Sequence, residues 1–141
     1  MNTKVDNTIE SQNLACPTDA QLRWQEAGLG AMFSFDIPVY DIGGYNWTRS
    51  YSEVVDPAAY MPTKLDTDQW LEIAKAMGAG YAIFTATHVA GFRQWQSPGY
   101  PYGLRQAPWR GGKADIVRDF IESCRRYDIR PALFISVRYN A

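Results

Sequence analysis

Ala82-Ile83-Phe84-Thr85-Ala86-Thr87-His88-Val89-Ala90-Gly91-Phe92-Arg93-Gln94-Trp95 is the stretch whose reading decides the fold. Tyr81 to Ala86 reads as a buried strand. It runs directly into a turn that holds the chain's only histidine, then Gly91, then the rings of Phe92 and Trp95. In parallel α/β folds, ligands bind at the turns that follow the carboxyl ends of strands. His88 therefore stands where function is most often built, beside rings that can stack on a ligand.

The neighbouring segments extend the pattern. Asp66 or Thr67 starts a helix whose buried stripe is Trp70, Leu71, Ala74 and Met77, and Gly78 and Gly80 stop it. Downstream, 113–127 is a strongly two-faced helix. Ile116, Val117, Phe120, Ile121 and Cys124 fall on one side, and Arg118, Asp119, Glu122, Arg125 and Arg126 on the other. Leu29 to Phe35 suits a first buried strand, led by a short helix that Thr18 or Asp19 caps and Gly28 ends. Arg130 to Val137 is a third strand. Two long loops, 36–62 and 87–112, follow the first and second strands, and loops of that length in a compact domain are usually functional. Residues 1–17 are read as a disordered N-terminal segment, and 18–141 as the domain.

Strand and helix alternate, which argues for a parallel sheet with right-handed crossovers. Three such strands with helices on one side leave one sheet face bare and both edges unpaired, although the strands are apolar on both faces. The expected architecture is α/β: the N-terminal portion, about three βα units, of a TIM (β/α)8 barrel. Alone, such a piece should be unstable or form a homodimer through its uncovered sheet.

Bulk properties narrow the function. The 141 residues carry 14 basic and 15 acidic side chains, a net charge of −1, which excludes the basic excess of a nucleic-acid partner. Five Trp and nine Tyr are more than a core of this size needs. They fit either packing or a pocket for an amphipathic ligand such as a sugar. Cys16 and Cys124 are too far apart in sequence to suggest a metal site or redox pair, and no cofactor is expected. No run is apolar enough to span a membrane, and the polar start lacks a secretion signal, so the default location is cytoplasmic.

The motifs then acquire a common meaning. Gln21-Leu22-Arg23-Trp24-Gln25, Phe33 to Phe35, Tyr60-Met61-Pro62-Thr63-Lys64-Leu65-Asp66 with Gln69-Trp70, and Ala74 to Ala79 occur in order. They are followed by Thr85-Ala86-Thr87-His88, Gly91-Phe92, Trp95, Ser97, Lys113 to Val117 and Ala132 to Ser136. In this combination the chain resembles the N-terminal part of the catalytic barrel of the α-L-fucosidases, glycoside hydrolase family 29, over roughly residues 18 to 138. The resemblance implies retaining hydrolysis of terminal α-L-fucose from a fucosylated glycan, by one carboxylate nucleophile and one acid/base. It also implies that both groups come from later strands, so no catalytic residue is expected within this chain. The substrate-binding residues it suggests are His88, Ser34, Phe35, Trp47 and Trp95.

Several family features are changed. Ser34-Phe35 stands where the family has a His-Trp pair, and Asp36 where it has glycine. His88 keeps the first of two consecutive histidines, but Val89 and Ala90 replace the second and the Asp that follows. Asn46-Trp47 falls where the family has Glu-Trp. The polar sugar clamp is thus thinner, which keeps a second reading in play: a non-catalytic carbohydrate-binding relative. A third reading, a flavodoxin-like binding domain, lacks the glycine-rich phosphate turn after its first strand.

Each candidate also has a plainer reading. His88 could tie down its loop through a backbone carbonyl, but position and resemblance favour a sugar contact, and a lone histidine is a poor metal ligand. Trp95 is expected to pack with partial pocket exposure, and both readings of Trp47 stay open. Trp70 belongs to the core. Asp36 and Glu53 are expected to be turn and loop formers more than ligand contacts. Gly111-Gly112-Lys113 lacks Walker spacing.

Overall fold

The structure is a computed structural model that describes residues 15–40 and 55–137. Three helices, α1 (Asp19–Glu26), α2 (Thr67–Ala76) and α3 (Ile116–Arg126), alternate with three strands, β1 (Gly30–Phe33), β2 (Tyr81–Thr87) and β3 (Arg130–Ile135). The strands form one parallel sheet in the order β1-β2-β3. A flavodoxin-like domain would place β1 between β2 and β3. The sequential order found here overturns that reading.

Helices α1 and α2 begin at their expected caps, whereas α3 begins at Ile116, three residues after the expected start at 113. Thr18 and Gln21 form a capping box on α1. The Asp66 carboxylate accepts from the Asp68 and Gln69 amides on α2, and Asp115 from the Arg118 amide on α3. Such caps satisfy amide donors that have no partner inside the helix and each contribute about 1 kcal/mol. The chain turns out of β1 at Phe33, two residues earlier than the apolar run ends, because Asp36 opens a 3-10 turn over Ile37–Tyr40.

Both α2 and α3 pack on one face of the sheet. Phe33, Phe84 and Leu133 lie side by side in register on that face. Phe33 stacks on Trp70 of α2 at 5.4 Å, and Phe84 meets Phe120 of α3 at 5.4 Å. Between the helices the Thr67 and Ser123 hydroxyls are 2.8 Å apart, and Arg126 reaches across to Asp68 at 2.6 Å. One member of the expected α2 stripe is misplaced: Met77 lies beyond the last turn of α2 and is 61% exposed. Helix α1 lies across the amino ends of the strands. There Arg130 donates to the Arg23 carbonyl, and the Ala27 carbonyl sits where any side chain on Gly80 would be.

The cover on the strands is unequal. Central β2 is buried at five of its seven positions, whereas β3 is exposed along its whole length. The sequence implies cover on both faces of every strand; among the described residues α3 and His88 cover β3 only in part, and all its positions stay exposed. Val117, Ile121, Leu133 and Ile135 line an open groove of about 610 Å³ between α3 and β3. No helix among the described residues is long and apolar enough to cross a membrane.

Candidate functional site

The carboxyl ends of β1 and β2 converge on one amide. The β1–β2 ladder stops at the Phe33–Phe84 pair, yet the carbonyls of Phe35 and Thr85 still need donors. The Gln94 side chain supplies them: its Nε2 donates to the Phe35 carbonyl and, at 2.8 Å, to the Thr85 carbonyl. Its Oε1 accepts from the Tyr60 hydroxyl at 2.9 Å. The Gln94 amide donates to the Ala86 carbonyl, and the Gln94 carbonyl accepts from the Ile116 and Val117 amides at the start of α3. Every polar atom of this fully buried residue is therefore used.

A long loop is held rigid around this amide. Phe92 stacks on Tyr60 at 5.0 Å and meets Tyr102 edge-on at 5.2 Å. The Arg93 backbone pairs with the Tyr102 carbonyl and the Leu104 amide. The Arg93 guanidinium lies 3.7 Å over the Tyr100 ring and donates to the Ser97 hydroxyl at 2.7 Å. Such cation–π contacts are worth about 0.5–1 kcal/mol where exposed and more where water is excluded.

Among the suggested ligand residues, the structure separates two groups. Residues alternate sides along a strand. Leu133 lines the groove beside α3, so its neighbour Phe134 faces away from the helices, and His88 lies 5.8 Å from the Phe134 ring. His88 is half-buried, and its carbonyl accepts from the Gly91 amide in a turn that needs the left-handed φ of 75° at Gly91. Phe33 stacks on the helix side, so alternation sends exposed Ser34 to the same uncovered side as His88. Phe35 and Trp95 go elsewhere. The Phe35 ring is absorbed in a cluster with Tyr40, Tyr60 and Trp70. Trp95 is half-buried at the top of the groove beside α3, with Ala86 and Val117. Trp47 and Glu53 lie outside the described residues.

Asp36 is the unexpected member. It is only 8% exposed, one carboxylate oxygen accepts from the Ile37 amide at 2.8 Å, and the other has no partner among the described residues. Burial pushes its carboxyl up to about 7, against the smaller opposing pull of the Ile37 amide. Burial likewise raises the Tyr60 and Tyr102 hydroxyls, with the Asp36 charge adding to both shifts. Neither hydroxyl serves Asp36, since Tyr60 donates to Gln94 and Tyr102 to the Val55 carbonyl.

Asp36 as a buried acid and Gln94 as a hub were both missed from sequence. Asp after a strand looks like a turn former, and a glutamine carries no spacing signal; only the tertiary approach of Tyr60 and Tyr102 gives either its character. Among the described residues no group of three His, Cys, Asp or Glu side chains could hold a metal ion.

Comparison with known proteins identifies the family. The family model for alpha-L-fucosidase matches residues 23–138. Alpha-L-fucosidase 1 of Arabidopsis thaliana is 32% identical over 125 residues, which cover 87% of this chain and 23% of the relative. A crystal structure from Bacteroides thetaiotaomicron, of a protein assigned by name as an alpha-L-fucosidase, is 44% identical. It superposes with a TM-score of 0.85 over 91% of this chain and 30% of its own. A glycoside hydrolase 29 family member from an unknown rumen bacterium is 34% identical, with a TM-score of 0.76 over 84% of this chain and 21% of its own. The chain thus spans less than a third of the length of these relatives. With the family model matching residues 23–138 and these structures superposing over most of its length, the chain belongs to the alpha-L-fucosidase family, glycoside hydrolase family 29.

Proposed function

We propose that this chain forms the first three βα units of a (β/α)8 barrel that hydrolyses terminal α-L-fucose from glycans with retention of configuration. The observation that carries this reading is the shared placement of Ser34 and His88. Both stand at carboxyl ends of adjacent parallel strands, on the sheet face opposite the helices, which is the interior of a barrel. Exposed β3 and the apolar groove beside α3 fit further strands and helices closing on them.

In this reading Ser34 and His88 hydrogen-bond sugar hydroxyls, and the Phe35 ring, packed with Tyr40, Tyr60 and Trp70, braces the strand end that carries Ser34. The nucleophile and the acid/base come from later strands, with carboxyl groups about 5–5.5 Å apart as retention requires. The second reading, a sugar-binding relative without activity, draws on Val89 and Ala90 in place of the polar family residues.

The test is hydrolysis of an aryl α-L-fucoside by the protein expressed from its complete coding sequence, with the anomer first released identified by NMR. Release of the α-anomer is expected; the β-anomer would refute retention, and binding without turnover would favour the second reading. His88→Ala is expected to raise KM about tenfold, by loss of a hydrogen bond to an uncharged hydroxyl, with little change in melting temperature. An unchanged KM would make His88 a loop strut.

The 141-residue chain by itself is expected to be inactive and to associate through its uncovered sheet. A monodisperse monomer with a sharp melting transition, seen by light scattering and circular dichroism, would contradict this.

A further inference from the structure

We propose that Gln94 is a positioning residue of the sugar site, its carboxamide acting as a rung that locks the tip of β1, with Ser34, to the end of β2, with His88. The inference rests on the fucoside-binding reading above. Past Phe33 the backbone of β1 has left the ladder, and Gln94 spans the gap to β2. Tyr60 holds the far oxygen of the amide, which fixes its orientation so that both N–H groups point at carbonyls. The Gln94 main chain is itself anchored to Ala86 and to the first turn of α3, so the rung cannot follow a drifting β1 tip.

No other side chain of this size does the same. An ionised glutamate would press a carboxylate against two carbonyl oxygens and lose both donors. Methionine fills the volume but leaves the two carbonyls and the Tyr60 hydroxyl without partners. Either change frees the β1 tip and alters the separation of Ser34 and His88, which no sugar could then bridge as well. Gln94 is fully buried, so it does not touch a sugar itself; its effect passes through the two strand ends.

The test compares Gln94→Glu, Gln94→Met and Tyr60→Phe with the wild type, in the protein expressed from its complete coding sequence, using an aryl α-L-fucoside as probe. Both Gln94 variants are expected to raise KM about tenfold or more at pH 7, since small misplacements of binding groups are costly. Relative to wild type, the KM of Gln94→Glu is expected to recover in part as pH falls, because a protonated carboxyl regains one donor. A purely structural role would lower the melting temperature and leave this pH-dependent ratio flat. Folded Gln94 variants with wild-type KM at every pH would overturn the proposal.

If neither Gln94 variant folds, Tyr60→Phe decides. It leaves both carbonyl bonds and releases only the far oxygen, so KM should rise by about two- to fivefold, and an unchanged KM would again overturn the proposal. A wild type that neither binds nor hydrolyses the fucoside would instead refute the fucoside reading, and the role of Gln94 with it.

Discussion

Asp36→Asn is expected to flatten the pH dependence of stability and to raise the melting temperature above pH 7. The carboxyl has an ordinary value of 3.8 and is pushed up to about 7 by burial in the folded protein. Between those values the folded state keeps a proton that the unfolded state gives up, so stability falls as pH rises through this window and levels off above about 7. The difference sets a ceiling of about 4 kcal/mol on the loss. Its cause is geometric. The carboxylate has one amide for company, and its aromatic neighbours have spent their hydroxyl protons on Gln94 and Val55. Asparagine keeps an oxygen for the Ile37 amide and carries no charge at any pH. It brings an amide N–H2 with no evident acceptor, which returns about 1–3 kcal/mol of the gain. The variant should therefore match or fall below wild type near pH 5 and exceed it near pH 8. Melting temperatures measured across that range for both proteins check this, and two parallel curves would show that Asp36 ionises without strain.

Asp36 also marks the limit of what the chain reveals before it folds. The helix caps at Thr18 and Asp66 were legible because a cap acts within a few residues of itself. The alternation of strands and helices was legible because each element carries its own apolar stripe. The family was legible from motifs that keep their order, and the alpha-L-fucosidase family model, which matches residues 23–138, agrees with it. Burial of Asp36 and use of every polar atom of Gln94 depend on Tyr60, Tyr102 and α3, which lie far along the chain. No local pattern encodes such meetings. Trp95 shows the same limit in reverse. Its place after a strand suggested the ligand side, but the course of the turn carries it to the groove beside α3. The early exit of β1 is of this kind too, since Gln94 replaces the last rung of the ladder.

Phe84→Ala should cost about 3–5 kcal/mol of stability, and Leu133→Ala in the complete protein should approach it at about 2–5 kcal/mol. The two residues share one register and one face of the sheet. Phe84 is fully buried between Trp70 and Phe120, so its truncation opens a cavity in the centre of the aromatic cluster. Leu133 is 39% exposed among the present elements, and on that exposure alone its truncation should cost under about 1 kcal/mol. The barrel reading alters this expectation for Leu133 alone. Further elements that close the groove beside α3 would bury Leu133 as Phe84 is buried now, and its methyl groups would become core. Urea denaturation of both variants, expressed from the complete coding sequence, separates the cases through the shift in midpoint at constant slope. A small shift for Leu133→Ala beside a large one for Phe84→Ala would mean that nothing packs on β3, and the barrel would lose its physical support.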